Sequence, residues 1–351
     1  MRAMLSRLGH RDYWSAHGGY LRSAWPGLLL CIVVGLAAAF VAGTLGGPPM
    51  LYALLFGTAF HFQSHDARTQ PGVDAAMRTV LRLGIGLLGA RITAGQVADL
   101  GWTTAGITLL ALASTVAFGV LMARWLGLSW SMGLLAGGAT AICGAAAALA
   151  IAAALPAYMD KERNTLAVVV LATVLSTAAM LLYPLLAHAL QLPPALAGIF
   201  IGASIHDVAQ VIVAGYSLGP GAGDTATVVK LLRVSMLAVV VVAITLISRH
   251  RFGLPRELPA VTKPAFPVPG FLMLFMGMVA ANSSGLLQPA VQSALAGSST
   301  ACLIVGATAL GMKTSFKGLA NMGWRPIVLM LLNTVWIAGF VLLAIEISRH
   351  P

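Results

Sequence analysis

The chain reads as an all-α polytopic membrane protein, and three observations carry that reading. Hydrophobic residues make up 59% of it and charged residues only 9%, against about 25% charged in soluble domains. Apolar runs of about 20 residues, enough to cross a hydrocarbon core of roughly 30 Å, recur from end to end. Within them, two stretches rich in glycine and small residues, Gly137–Ala150 and Gly198–Gly215, interrupt the helical pattern.

Taken in order, hydropathy gives about eleven transmembrane helices, at roughly 26–45, 48–63, 76–95, 102–123, 130–155, 165–189, 194–219, 224–248, 268–288, 295–314 and 326–347. Residues 1–25 form a basic segment expected in the cytoplasm, 26–347 a single transmembrane domain, and 348–351 a tail. The first apolar run is long enough to stay as an anchor, so a cleaved signal peptide is not expected. The one long connection, 249–267, holds Pro255, Pro259, Pro264 and Pro267, which stop helix and sheet alike.

The formal charge of +11 fits the cytoplasmic loops of an inner-membrane protein rather than a nucleic-acid surface. With the N-terminus inside, fifteen of the 21 Lys and Arg residues fall on the cytoplasmic side; Arg91, Lys161, Arg163, Lys230, Arg233 and Arg349 fall on the other. An odd number of spans then leaves the C-terminus outside. Cys31, Cys143 and Cys302 are isolated in apolar segments and suggest neither a disulfide framework nor a metal site. No nucleotide motif appears, so neither a cofactor nor direct coupling to ATP is expected.

An internal repeat is visible. Leu83–Trp102 and Val305–Trp324 match at a constant offset of 222, through Gly84/Gly306, Leu88/Leu310, Gly89/Gly311, Ala98/Ala320, Gly101/Gly323 and Trp102/Trp324, with the cations Arg91/Lys313 in step. The copies lie seven spans apart and run in opposite directions, a signature of secondary transporters. A shorter echo, Gly138–Ala141 with Gly306–Ala309, gives a five-span register instead. Gly138–Ala150 also aligns without gaps on Gly202–Ala214, placing Thr140 opposite Ser204. Broken helices are therefore expected in span five and in span seven or ten.

Span seven holds Ser204, His206, Asp207 and Gln210, and ionisable groups inside a bilayer face a cavity, a partner or a solute path. Span eight holds Lys230 and Arg233 one turn apart; Val234–Ser248 alone would reach only about 22 Å, so both cations lie within the membrane. Their charge is offset either by Asp207 and other protein acceptors or by an anionic solute. His61 and His65 share a helical spacing but sit beside a polar loop, where an interfacial role outweighs a metal site. Cys143, His206 and Asp207 suggest a nucleophile, base and orienter, yet the sequence neither brings Cys143 to His206 nor supplies an oxyanion donor. An enzyme is not expected.

The motifs A-I-C-G at 141–144, G-A-S-I-H-D-V-A-Q-V at 202–211, V-K-L-L-R-V at 229–234 and L-G-M-K-T-S-F at 310–316 resemble the YeiH-type family of bacterial membrane proteins to which sulfate export is assigned. The resemblance runs from about Leu51 to near the end. It implies a fold similar to the cation/proton antiporter and anion transporter group, with two inverted five-span repeats. Relatives carry a hydroxyl residue soon after I-C-G, where this chain has only Ala145–Ala148. The expectation is a secondary transporter of a small anion, sulfate or a related sulfur oxyanion. Lys230 and Arg233 would supply charge, and Thr140, Cys143, Gly144, Ser204 and Gln210 would line the site. His206 and Asp207 would take a coupling proton, with sodium as the other candidate ion. The alternatives are a cation/proton antiporter centred on Asp207 and a non-transporting sensor or structural subunit; a homo-oligomer is left open.

Overall fold

The computed structural model describes residues 2–46, 48–155, 161–252, 270–313 and 323–349. The helices are α1 (Arg2–Leu45), α2 (Pro49–Ala59), α3 (Gln70–Ala75), α4 (Leu81–Leu88), α5 (Ala94–Asp99), α6 (Gly101–Trp125), α7 (Trp130–Ala141), α8 (Ala145–Ala154), α9 (Lys161–Ala189), α10 (Pro194–Ser204), α11 (Val208–Ser217), α12 (Pro220–Ser235), α13 (Leu237–Phe252), α14 (Gly270–Ser283), α15 (Pro289–Lys313) and α16 (Trp324–Arg349). Most of the proline-rich linker 249–267 lies outside the described residues. So do the side chains of the basic N-terminal segment up to residue 22, that of His65, and the part of the second repeat copy holding Ser315, Lys317, Ala320 and Asn321.

Six stretches are long and apolar enough to cross a bilayer: Ser23–Leu45, Gly101–Trp125, Arg163–Ala189, Pro220–Ile244, Pro289–Lys313 and Trp324–Arg349. Large apolar side chains stay exposed along them, among them Leu36, Phe40, Leu110, Leu185 and Leu343, and surfaces of that kind require lipid. Trp102 and Trp125 stand exposed at the two ends of α6. Such tryptophans belong at headgroup level, and the helix between them rises ~35 Å at 1.5 Å per residue. The chain is a multi-pass helical membrane protein.

The described residues group into two compact units. The first unit comprises the chain to Leu88 with Pro289–Thr314. In it a Cβ at Gly306 would lie 2.5 Å from Leu81 Cδ1 and one at Gly84 2.9 Å from Cys302 Cβ. Lys313 Nζ lies 2.9 Å from Asp74 Oδ1. Numbers rise along α3–α4 as they fall along α15, so these segments are antiparallel. Only glycine lets the backbones come so close. Because α15 is continuous from Pro289 to Lys313, span ten is unbroken.

The second unit comprises Gly89–Gln288 with Ser315–Pro351 and holds both breaks. Spans five and seven are not crossing helices; each turns the chain back on itself. A Cβ at Gly138, in α7, would lie 2.2 Å from Ile151 Cδ1, in α8; in a straight helix thirteen residues would separate them by ~20 Å. The turn is Ile142–Gly144, and Gly144 sits at φ +59° and ψ −121°, a conformation that only glycine adopts without strain. For α10 and α11, α12 serves as a ruler. Gly198 and Gly202 pack on Ala222–Thr225 and Ala226–Val229, whereas Gly215 returns to Gly223 and Ala226. So α10 runs parallel to α12 and α11 antiparallel to it.

The two hairpins enter from opposite ends of α9. The α7–α8 hairpin closes on its first turn, where Lys161 Nζ donates to the Leu155 carbonyl at 2.6 Å. The α10–α11 hairpin follows its last turn, Ala189 and Pro194 being joined by a short link. This corrects the placement of Lys161 and Arg163. A hairpin returns the chain to the side it left, so with the N-terminus inside both cations are cytoplasmic.

Candidate functional site

The hairpin tips meet. A Cβ on Gly144 would lie 3.7 Å from His206 Cβ and 3.8 Å from Ala172 Cβ of α9. Ala172 stands ~17 Å along α9 from Lys161, and Thr177, which also touches a tip, ~18 Å from Ala189. The meeting point is therefore half-way along a membrane-crossing helix.

Each tip ends one helix with unpaired carbonyls and starts another with unpaired N–H groups. Two buried cations of α12 deal with the carbonyls. Arg233 donates through Nε to Ala141 O at 2.7 Å, through Nη2 to Thr140 O at 2.8 Å, and through Nη1 to Gly202 O and Ile205 O, each at 3.0 Å. Lys230 Nζ donates to Ile142 O at 2.6 Å, to Ile205 O at 2.9 Å and to His206 O. All three lysine protons and four of the five arginine N–H groups are thus directed at backbone. At the end of α7 the accounting closes: Gly138 O and Ala139 O accept from Ile142 N and Gly144 N, and Arg233 takes the next two carbonyls. Of the partners the sequence offered, Asp207 and other protein acceptors or a solute, the structure supplies protein acceptors: carbonyls at helix C-termini, where cations are favoured.

The N-terminal sides of the tips differ. Asp207 caps α11, its Oδ1 accepting from Ala209 N at 2.8 Å, and its own N–H donates to Ser176 Oγ at 3.1 Å. At α8 the capping residue is Gly144, which has no side chain to offer. Ala145 is half-buried and Ala146 exposed there.

His206 is fully buried, with Nε2 2.9 Å from Thr334 Oγ1. The Thr334 hydroxyl donates to Met330 O at 2.8 Å, so its oxygen accepts, and Nε2 carries the hydrogen in neutral His206. His206 Nδ1 is then a bare acceptor without a partner among the described residues, as are Gln210 Oε1 and Asn333 Oδ1. Gln210 Nε2 donates to Thr177 Oγ1 at 2.9 Å.

The structure brings Thr140, Cys143, Gly144, Ser204, His206, Asp207, Gln210, Lys230 and Arg233 to one place, including Cys143 and His206, which the sequence did not connect. Thr140 offers its carbonyl to Arg233, while its hydroxyl faces Met330 sulfur at 4.0 Å; the Ser204 hydroxyl turns back to Phe200 O. Arg91 lies elsewhere, 5.8 Å over the Tyr216 ring, whose hydroxyl donates to Asp224 at the base of the α10–α11 hairpin. Lys313 belongs to the other unit, on Asp74. His61 Nδ1 is 2.7 Å from Met312 O. Sequence reasoning missed Ser176, Thr177 and Thr334, although each is a hydroxyl within an apolar run.

Fold and site together define a polytopic membrane protein with two opposed re-entrant hairpins closed by buried cations. The chain belongs to the family described as conserved hypothetical protein 698, whose model matches residues 26–330, and its relatives are UPF0324 membrane proteins. The protein TauZ of Paracoccus denitrificans is 44% identical, covering 94% of this chain and 97% of its own. A UPF0324 membrane protein of Rhizobium meliloti is 42% identical over 93% of each chain, and one of Chlorobaculum tepidum 44% identical over 91% of this chain and 88% of its own. No solved structure matches.

Proposed function

We propose that the protein is a secondary transporter of a small anion across the bacterial cytoplasmic membrane, N-terminus inside, with a proton or sodium ion as coupling partner. One observation carries the proposal: Lys230 and Arg233 are buried together at the tips, and Asp207 is the only carboxylate among the described tip residues. Two helix C-termini and two N-termini converge there, and their partial charges of about half a unit each cancel. A net charge near +1 is left half-way through the membrane, where an uncompensated ion costs several kcal/mol. A bound anion offsets it. The N–H groups of Ala145 and Ala146, at the uncapped start of α8, and the fifth N–H of Arg233 are donors open to the anion. The resemblance of the tip motifs narrows the solute to sulfate or a related sulfur oxyanion. This reading takes eleven membrane-embedded segments in inverted repeats, nine crossing and two re-entrant, which leaves the C-terminus outside.

The test is a thermal-shift screen of purified protein across sulfate, sulfite, alkyl sulfonates, chloride, sodium and lithium, followed by flux in proteoliposomes. Native-state binding raises apparent stability by RT ln(1 + [L]/Kd). Stabilisation by one oxyanion class together with saturable flux of it is expected; stabilisation by monovalent cations alone would refute the anion reading. That outcome supports the second reading, a cation/proton antiporter, which the three acceptors His206 Nδ1, Gln210 Oε1 and Asn333 Oδ1 favour. Absence of any saturable flux would leave a sensor or structural subunit.

A further inference from the structure

We infer that the chain is a circularly permuted inverted repeat: α2, α3–α4, α6, the α7–α8 hairpin and α9 correspond to α14, α15, α16, the α10–α11 hairpin and α12–α13, and the two hairpins are gates on opposite sides of one site. In the second half the order along the chain is rotated, the last two members coming first. The repeat itself is part of the transporter reading; the permuted order and the gate roles go beyond it.

Four pairs can be checked one by one, each inside its own unit. The α3–α4 segment and α15 match at offset 222 and are antiparallel by the Asp74–Lys313, Leu81–Gly306 and Gly84–Cys302 contacts. At that offset Trp102 of α6 matches Trp324 of α16, and this pair is antiparallel too: Trp336 stacks on Phe118 at 4.3 Å, while Arg325 approaches Gly127. The hairpins match at offset 64 and enter from opposite ends of α9. Finally, α9 runs toward the base of the α10–α11 hairpin and α12 runs away from it.

At the tips the correspondence reaches single atoms. Offset 64 makes Ala141 equivalent to Ile205 and Ile142 equivalent to His206. Arg233 binds the carbonyls of the first pair and Lys230 those of the second. The two cations bracket the tips across the symmetry. The permuted order also lets offsets 222 and 64 belong to one repeat, and it sets aside the shorter echo of Gly138–Ala141 with Gly306–Ala309. If spans five and seven crossed the membrane they would run the same way, and offsets 222 and 64 could not both belong to one inverted repeat. As re-entrant hairpins they point oppositely, and both offsets hold.

Related halves that enter from opposite faces and meet at one bracket give each face its own movable wall. The α7–α8 hairpin opens the site to the side of its base, and the α10–α11 hairpin to the other.

The test is labelling by a membrane-impermeant maleimide, in intact cells and in inverted vesicles, of full-length protein. The background is Cys31→Ser, Cys143→Ser and Cys302→Ser, with single cysteines at Ser129 and Ala153, flanking the first hairpin, or at Ala195 and Gly221, flanking the second; a parallel set keeps Cys143 in case its replacement lowers expression. Ser129→Cys and Ala153→Cys are expected to label from one face, Ala195→Cys and Gly221→Cys from the other. At the tips the equivalent pair Ala145→Cys and Ala209→Cys should label from opposite faces, each from the side of its own hairpin base. Either hairpin labelling at its two ends from different faces overturns the permuted repeat; both tip positions labelling from one face only overturns the gates. The pattern is read without solute, so failure of anion transport leaves it intact, and failure of the pattern leaves anion binding to be measured separately.

Discussion

The two hairpin tips differ in what they contribute. The α7–α8 tip is Ala141-Ile142-Cys143-Gly144-Ala145, without an ionisable group apart from a buried thiol; the α10–α11 tip is Ile205-His206-Asp207-Val208-Ala209. Both present their last carbonyls to Lys230 and Arg233, so on that face they are equivalent. On the opposite face one helix start is left bare and the other is capped by a carboxylate beside an imidazole. The shared face holds the structure together, and the unlike face divides the labour: a solute anion at the bare start of α8, a coupling cation at His206 and Asp207. This division is the content of the transport proposal, and substitutions can test its two faces separately.

The largest effect belongs to the shared face. Lys230→Met or Arg233→Met strips several buried carbonyls of their donors at once, each group left unsatisfied costing about 1–3 kcal/mol. Thermal unfolding in detergent should show it as a large fall in Tm for both variants. Arg233→Lys keeps the charge but offers three donors where four carbonyls now accept, and should fall between. The carbonyl bracket also fixes the behaviour of the double variant Asp207→Asn/Arg233→Gln: removing the carboxylate returns no donor to Thr140, Ala141, Gly202 or Ile205. Wild-type stability in that double variant would mean that Arg233 serves Asp207 instead.

Intermediate effects separate the tips by conformation and by the imidazole. Gly144→Ala places a Cβ at 3.7 Å from His206, which fits, but at φ +59°, so backbone strain alone should cost about 1–3 kcal/mol. Val208, its equivalent in the other tip, is an ordinary helix residue, and Val208→Ala should cost less. Thr334→Val removes the acceptor of His206 Nε2–H and should cost about 1–3 kcal/mol, whereas Thr334→Ser should recover most of it. Equal losses for Val and Ser would show that the threonine methyl, not the hydroxyl, is what the site uses.

Much of this was legible in the sequence, and its limits have physical causes. Composition and run length identified the membrane class, and the glycine-rich stretches located both tips, because a break needs small residues and leaves that trace. Lys230 and Arg233 were found because charge inside an apolar run is conspicuous. Their partners were invisible because a carbonyl belongs to every residue; no side-chain pattern announces that Ala141 or Ile205 accepts a hydrogen bond. The hairpins were read as crossings because hydropathy records how long an apolar stretch is, not whether it turns back. The contact of Gly138 with Ile151 is what distinguishes the two. Thr334, Ser176 and Thr177 were passed over since isolated hydroxyls in transmembrane helices commonly bond to their own helix, as Thr334 itself does to Met330.

The smallest expected stability change is the most informative about the unlike face. Asp207 does two things in the structure: its carboxylate caps α11 through Ala209 N at 2.8 Å, and it carries the negative charge of the tip. Asn preserves the first and removes the second; Ala removes both. Asp207→Ala should therefore be about 1 kcal/mol less stable than Asp207→Asn, the usual worth of an N-cap, while both lose equally whatever the carboxylate's charge contributes. Flux should split differently. If the carboxylate takes the coupling ion, both variants lose the dependence of anion flux on an imposed proton or sodium gradient, and Asn is no better than Ala. If it only caps the helix, Asp207→Asn transports like the wild type with its gradient dependence unchanged. Measuring Tm and gradient-driven flux on the same two proteins separates these cases, and a wild-type Asn variant would reduce the α10–α11 tip to a structural mate of the other.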